Sequence, residues 1–500
     1  MTRPLLAPAN AVGRSDAQAL EQADRQFEHF INGASSAPRL GRYEAATNPS
    51  TGQPLGRFAV GCADDVDAAA QGAELGQKAW YRIEPAARAR ILHAIATRIR
   101  AESDRLSQFE AINCGKPLWL ASADVETCAR YFEYFAGVAD KLLGTVIPAG
   151  SSHLVYATHE PYGVTGHITP WNAALSQAGR GAAPALAAGN SVLMKPALEA
   201  SITTLELARL CIECGLPPGA FNVVTGDGPG TGAALSANGR IRKLSFTGSV
   251  ATGRAVATAA AQGIVPLTLE LGGKSPFIVF DDADLQSASS LAVRAFSLNS
   301  GQICSAGTRI LVHRSRHDEL RDLIAQKLQA LRVGHAFSNP DLGPVISLKQ
   351  RERVEYFCRI AQEEGAERIA KPLELGAECA GGFFVQPTLF AHATHDMRIA
   401  REEVFGPVAC MVPFASDEEA LAQANDSDYG LAAAVWTRDI TRANAFTRQI
   451  EAGQVYVNDY QPVGVEAAFG GYKKSGYGRE KGLESLKDYS QVRTVITRIA

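Results

Sequence analysis

From position 163 to position 271 the chain repeats one pattern: a short apolar run suited to a strand, then a longer amphipathic stretch suited to a helix. Strands are expected at 164–168, 191–195, 221–224, 243–247 and 265–271, and helices at 175–188, 201–214, 230–236 and 250–262. Gly189-Asn190 closes one helix, and Gly215 with Pro217 closes the next. Alternation of this regularity points to an α/β fold with a parallel, doubly wound sheet. Such a sheet takes its ligands beyond the carboxyl ends of its strands, and the unusual residues of this segment fall at those ends.

The flanking regions have their own patterns. Upstream, 64–79, 85–102, 103–115 and 119–140 carry helical apolar spacing, with Asp64 and Ser122 as expected caps. Residues 30–34 give a strand-and-turn signal, and 1 to about 25 read as a loose tail. The segment 144–161 alternates like an exposed hairpin. Gly272-Gly273 reads as a switch between domains, followed by strands near 276–280, 308–313, 383–390, 408–414, 431–436 and 453–457, with Trp436 in the core. The run 492–499 is a strand without a sequential partner, to be paired with the 144–161 hairpin or with another subunit.

Length and composition bound the function. Five hundred residues imply two or three domains, and 46% apolar with 20% charged residues is a globular balance. A formal net charge of −3 argues against a general nucleic-acid or anionic-membrane binder. No run approaches about 18 consecutive apolar residues, so no membrane span is expected. Met1 to Asp24 lacks a basic stretch leading into an apolar one, so no secretory signal is expected. Nine cysteines, an odd number scattered over the chain, do not form a disulfide framework and fit a reducing cytoplasm. The Cys211-Ile212-Glu213-Cys214 pair ends a helical pattern and has no second pair or histidines nearby. It is read as structural, and no metal site is expected.

Four stretches carry chemistry. Asn299-Ser300-Gly301-Gln302-Ile303-Cys304-Ser305-Ala306-Gly307 puts a thiol between a helical pattern and a strand, among small residues that offer little burial. A cysteine so placed is a nucleophile when helix ends or cations favour its thiolate, or else a buried small hydrophobe. Ile168-Thr169-Pro170-Trp171-Asn172 joins a strand to a helix. Its asparagine either aims an amide at an oxyanion or caps the helix. Phe246-Thr247-Gly248-Ser249-Val250-Ala251-Thr252-Gly253 and Gly226-Asp227-Gly228-Pro229-Gly230-Thr231-Gly232 are glycine turns at helix starts, suited to a pyrophosphate or simply tight turns. In Leu269-Glu270-Leu271-Gly272-Gly273-Lys274, Glu270 ends an apolar strand. Desolvation there suits it to base work, unless a lysine or arginine pairs with it.

Together these stretches resemble the aldehyde dehydrogenase superfamily from about Phe30 onward. Lys195-Pro196, Glu402-Glu403-Val404-Phe405-Gly406-Pro407 and Phe469-Gly470-Gly471-Tyr472-Lys473 add to the likeness, in the family's order. The resemblance implies a Rossmann-like dinucleotide-binding domain at 25–143 and 162–271. It further implies a catalytic α/β domain at 272–481 and a small β oligomerisation element at 144–161 and 482–500, hence a dimer or tetramer. It implies Cys304 as nucleophile, Glu270 as general base, and Asn172 with the Cys304 amide as the oxyanion hole. The cofactor would be NAD: Lys195 and Glu403 at the riboses, Gly248 and Ser249 at the pyrophosphate, Phe405 beside the nicotinamide ribose, Trp171 and Phe246 as walls. Ile168, Thr169, Pro170 and Leu198 are further expected contacts, as are Gly228, Gly232, Thr252, Leu271 and Gly272. The reaction implied is oxidation of an aldehyde to its acid. The alternatives are a coenzyme A-acylating relative, disfavoured by Glu270, and a non-catalytic protein on the same scaffold.

The chain also departs from the family. Leu198 stands where strongly NAD-selective relatives commonly carry glutamate, so NADP is tolerated in this reading. Arg180-Gly181 replaces a common Trp-Lys, which puts a proton relay between position 181 and Glu480 in doubt. Ala173, Gln177 and Arg180 share one helical face. That face suggests a cationic pocket wall for an aldehyde with a carboxylate or polar tail, unless Arg180 is ion-paired within the protein. Leu298, Ile303, Gln461, Val463 and Phe469 are the expected far wall.

Overall fold

The computed structural model of the chain describes residues 25–462 and 464–499. The Met1–Asp24 reading and Val463 fall outside them. Among the described residues the largest sheet runs Gly476–Tyr477, Leu267–Glu270, Lys243–Thr247, Val164–Thr169, Ser191–Pro196, Phe221–Val223, His29–Ile31, Ala34–Ser36. Its five central strands are parallel, with Thr247 opposite Glu270 and Ile168 opposite Lys195. From Val164–Thr169 the chain builds outward through two strands on one side, then returns to the other side for Lys243–Thr247. That reversal opens a crevice at the carboxyl ends of Val164–Thr169 and Lys243–Thr247. Successive residues of Ser191–Pro196 serve opposite faces: Val192 and Met194 enter one core with Phe132, Phe135 and Leu186, and Leu193 enters another with Val66, Leu244 and Phe246.

A second sheet runs Glu367–Ala370, Thr388–Ala391, Val408–Phe414, Arg309–His313, Pro276–Val279, Ala432–Trp436, Gln454–Val457 and is parallel except at Glu367–Ala370. Trp436 is buried and stacks on Phe277 with centroids 5.7 Å apart, a contact of about 0.5–1.5 kcal/mol beyond its burial. A third sheet joins the hairpin Thr145–Ile147 and His153–Pro161 to Ser490–Arg498, antiparallel from Ser490 opposite Pro161 to Arg498 opposite His153. Of the two partners open to the C-terminal strand, the hairpin of its own chain is the one it takes.

The helices Ala63–Tyr81, Pro85–Ala101, Ser103–Cys114 and Leu118–Val138 lie close to their expected spans, but two caps do not hold. Asp64 lies inside the first helix. Asp65 does the work instead, its carboxylate accepting the Cys62 amide at 2.9 Å. Ser122 is also internal, because Pro117 opens that helix five residues earlier. The strand expected at 383–390 is Thr388–Ala391. Pro387 has no amide to donate, and the Phe383 amide bonds the Pro49 carbonyl at 2.9 Å instead. No helix among the described residues is long and apolar enough to cross a membrane.

Candidate active site

Cys304 follows the helix Leu285–Ser297, which Asp284 caps by accepting the amides of Gln286 and Ser287. Beyond the helix the backbone turns left-handed at Asn299 (φ 54°), Ser300 (φ 54°) and Gly301 (φ 71°). A Cβ on Gly301 would lie 2.0 Å from the Gly406 carbonyl oxygen, so the turn requires glycine. Side chains then pin the loop. Ser300 Oγ donates to the Gly343 carbonyl at 2.7 Å, Gln302 Oε1 accepts the Ile346 amide at 2.9 Å, and Gln461 Nε2 donates to Ser305 Oγ at 2.6 Å. The expectation of an unburied loop fails: Gly301, Gln302, Ser305, Ala306 and Gly307 are buried, and Ile303 and Cys304 keep partial access.

Asn172 does not cap the following helix, whose cap position is Ala173. Its Nδ2 donates to the Gln302 carbonyl at 2.8 Å, and its own carbonyl accepts from Asn299 Nδ2 at 2.9 Å. One amide hydrogen is thereby fixed on a carbonyl two residues before Cys304, and the other is not committed to a protein acceptor. Two cavities meet here. One of about 300 Å³ is lined by Gln177, Arg180, Ile303, Tyr456, Phe469 and Lys481 among others. The other, of about 500 Å³, is lined by Trp171, Gly248, Ser249, Glu270, Glu403 and Phe405 among others. Asn172, Gln177 and Cys304 belong to the walls of both.

Glu270 ends its strand 2% exposed, and neither carboxylate oxygen has a hydrogen-bond partner. Burial pushes its carboxyl well above the usual range, opposed chiefly by the Arg180 guanidinium, whose Nη2 lies 3.6 Å from Oε2. Arg180 itself is ion-paired through Nε to Glu480, and its guanidinium lies 4.6 Å from the Phe469 ring centroid. Ser245 Oγ holds the other Glu480 oxygen at 2.9 Å. The ion-paired reading of Arg180 is therefore the one its geometry meets, although Gln177, Arg180, Ile303 and Phe469 all line the smaller cavity. Gly181 has no room for a side chain: a Cβ would lie 2.7 Å from His167 Nδ1. Cations that favour a thiolate do face Cys304, but its burial outweighs them. Burial raises the thiol to about 11, with Arg180 pulling the other way.

The expected cofactor residues divide into three groups. Pro170, Trp171, Gly248, Ser249, Leu271, Gly272, Glu403 and Phe405 line the larger cavity. Ser249 caps the helix Val250–Gln262, accepting the Thr252 amide at 3.3 Å, so that helix start faces the cavity. A Cβ on Gly272 would collide with the Glu403 carboxylate at 2.2 Å, so the bare glycine makes space for it. Glu403 Oε1 accepts the Gly273 amide at 3.1 Å, and burial raises its carboxyl to about 7. Trp171 and Phe405 meet edge to face with centroids 5.2 Å apart. A second group is internal: Ile168 and Phe246 pack in the core beneath the turn, and Thr169 is buried there with its hydroxyl unpartnered. In the third, Lys195 Nζ donates to the carbonyls of Pro196 (2.9 Å) and Gly226 (2.8 Å), and its stem lies against Gly232 of the Gly228–Gly232 turn. Leu198 packs on the Phe27–Leu55–Phe58 cluster.

Three features escaped sequence reasoning. Asn299 donates to the Asn172 backbone carbonyl, Gln302 accepts the Asn172 side-chain amide, and Lys481 lines the smaller cavity. The only signal for the lysine was its place after Glu480, downstream of the Phe469 motif. Cys211 is buried and Cys214 is half-buried. Elsewhere His317, Asp318 and His392 come together, but Asp318 already pairs with Arg321 at 3.1 Å and His392 with Glu367 at 3.5 Å.

Comparison with known proteins agrees with this geometry. Residues 38–495 match the Aldehyde dehydrogenase family. A betaine aldehyde dehydrogenase of Cereibacter sphaeroides is 41% identical over 476 residues, 95% of this chain and 98% of that protein. The peroxisomal aminoaldehyde dehydrogenase 2 of Pisum sativum is 41% identical over 487 residues, 94% of this chain and 95% of that protein. The NAD+ complex of an aldehyde dehydrogenase from Bacillus cereus superposes with a TM-score of 0.94 at 36% identity, covering 98% of this chain and all of that one (100%). With a family match spanning most of its length and the site built as described, the chain belongs to the aldehyde dehydrogenase family.

Proposed function

We propose that the chain oxidises an aldehyde to its carboxylic acid through a covalent adduct on Cys304. The supporting observation is the position of this thiol in the wall shared by two cavities, with Asn172 beside it and Glu270 on the dinucleotide side. The larger cavity suits NAD: a helix start for the pyrophosphate, a half-buried carboxylate in Glu403 for a ribose hydroxyl, and an aromatic wall from Trp171 and Phe405. Leu198 carries no charge to repel a 2′-phosphate, so NADP is tolerated. When bound, the dinucleotide supplies the acceptor for the hydrogen and electron pair leaving the adduct carbon.

The protein's own groups do the rest. The Cys304 sulfur bonds to the carbonyl carbon, and the resulting oxyanion is held by the Asn172 amide and the Cys304 backbone N–H. Oxidation leaves a thioester on Cys304. Glu270 then takes a proton from water, the hydroxide oxygen bonds to the thioester carbon, and the C–S bond breaks to release acid and thiol. A base in this position favours hydrolysis over transfer to coenzyme A.

The division into 25–143 with 162–271, 272–481, and 144–161 with 482–500 is part of the same reading. So is a homodimer or homotetramer built on the third sheet, where Val146, Leu154, Val492 and Ile496 are exposed. A cytoplasmic location suits nine cysteines that are all free. Dinucleotide reduction by the wild type and Cys304→Ala, with product analysis in the presence and absence of coenzyme A, tests the function. Undiminished reduction by the variant, or a coenzyme A ester as product, would overturn it.

A further inference from the structure

Three cations, Lys116, Arg180 and Lys481, line the cavity on the aldehyde side of Cys304, and they differ in how much charge is left to bind a ligand: Lys116 is held by Asp124 and Glu110. Arg180 is already committed, with Glu480 on Nε and Glu270 3.6 Å from Nη2. Lys481 is not. Its ammonium lies 5.1 Å from the centroid of the Phe469 ring, and among the described residues it makes no hydrogen bond or salt bridge. Arg180 repels it, while Glu480, Glu270 and Cys304 attract it only from beyond contact.

The backbone shows that this lysine is held in place. Lys481 has φ 60° and ψ 173°, a conformation populated almost solely by glycine and tolerated where the surroundings enforce it. Both neighbours are pinned. The amide of Phe469 donates to the Glu480 carbonyl at 2.7 Å and the amide of Glu480 returns the bond at 2.8 Å, while the Gly482 amide donates to the Val465 carbonyl at 2.9 Å. A long side chain on such a residue is a poor choice for stability alone.

The rest of the cavity has no free charge of opposite sign. Its acidic side chain, Asp124, is ion-paired with Lys116, which also lies 3.3 Å from Glu110. Gln177, Gln454, Gln461 and Tyr456 are neutral and polar. A cationic aldehyde entering here would face Lys481 unshielded, whereas an anionic one would neutralise it and relieve its repulsion by Arg180.

We propose that Lys481 is the anion site of the aldehyde pocket, and that the preferred substrate carries a carboxylate at the end remote from its aldehyde. This rests on the aldehyde-oxidising reading above. The test compares initial rates of dinucleotide reduction with 4-oxobutanoate, butanal and betaine aldehyde. It uses the wild type, Lys481→Met, Lys481→Arg and Lys481→Gly, the last of which suits the backbone and separates charge from strain. In the wild type, kcat/KM should favour 4-oxobutanoate over butanal by about ten- to a hundredfold, the range of a charge-assisted hydrogen bond. Lys481→Met and Lys481→Gly should both lose that ratio, mainly through KM, and Lys481→Arg should keep most of it. A wild-type ratio near one, a ratio unchanged in both neutral variants, or a preference for betaine aldehyde would overturn the anion site. Absence of reduction with all three aldehydes would instead overturn the dehydrogenase reading itself.

Discussion

Replacing Glu270 by glutamine separates what this carboxylate does for the reaction from what it does to the fold. No hydrogen bond is lost, because both oxygens lack partners, and the amide is nearly the same size. A general base contributes about 10²- to 10⁴-fold, or about 3–5 kcal/mol at 1.36 kcal/mol per tenfold, so the steady-state rate should fall by that factor. If the base serves thioester hydrolysis, rapid mixing should show about one dinucleotide reduced per active site, followed by slow turnover. Stability should move the other way. Burial raises the native carboxyl above its ordinary value of 4.5, so the native state binds more protons than the unfolded state as pH climbs above 4.5. The wild type therefore loses stability over that rise. Glutamine removes this loss, so at pH 7 the variant should melt above the wild type, and the gap should close below pH 4.5. A steady-state rate within about threefold of wild type would refute the role as base. A lower melting temperature at pH 7 would refute the burial argument.

Three further substitutions probe neighbouring features. Arg180→Met strips the cation from buried Glu480, so urea denaturation should show a loss of about 3–5 kcal/mol. It also removes the main charge lowering Glu270, so the rising limb of kcat/KM against pH should shift to higher pH. Gly301→Ala combines a left-handed φ of 71° with a 2.0 Å clash on Gly406, so thermal unfolding should register a loss of at least about 1–2 kcal/mol and first-turnover rates should drop. Val492→Glu with Ile496→Glu places charges on side chains 62% and 68% exposed, and sedimentation should show a larger monomer fraction if that sheet joins subunits.

Much of this was written locally in the chain. The helices Pro85–Ala101 and Leu118–Val138 follow from apolar spacing, and the parallel sheet follows from its strand–helix alternation. Where local signals competed, they misled. Asp64 and Ser122 have capping side chains, yet Asp65 and Pro117 start those helices. Cys304, Glu270 and Asn172 were legible because each sits in a distinctive stretch at a strand end or loop. The state of Arg180 was not, since its partner Glu480 lies 300 positions away along the sequence and only the fold brings the two together. Lys481 was missed for a related reason. A lysine in a sequence is ordinarily a surface residue, and neither its left-handed backbone nor its lack of a partner can be read from its neighbours.

The bare position at Gly181 sets an order for any redesign of the helix Ala174–Ala187. Inserting a lysine there alone would drive its stem into the His167 imidazole, which is fixed by Thr165 Oγ1 at 2.8 Å and stacked on Tyr489 with centroids 5.7 Å apart. The histidine would have to be cut back first, with Tyr489 repacked to fill the gap. Only then could an amine at 181 approach Glu480, and it would compete there with the guanidinium already bound. An engineer wishing to install a proton shuttle in this protein thus faces a three-residue exchange rather than a point mutation.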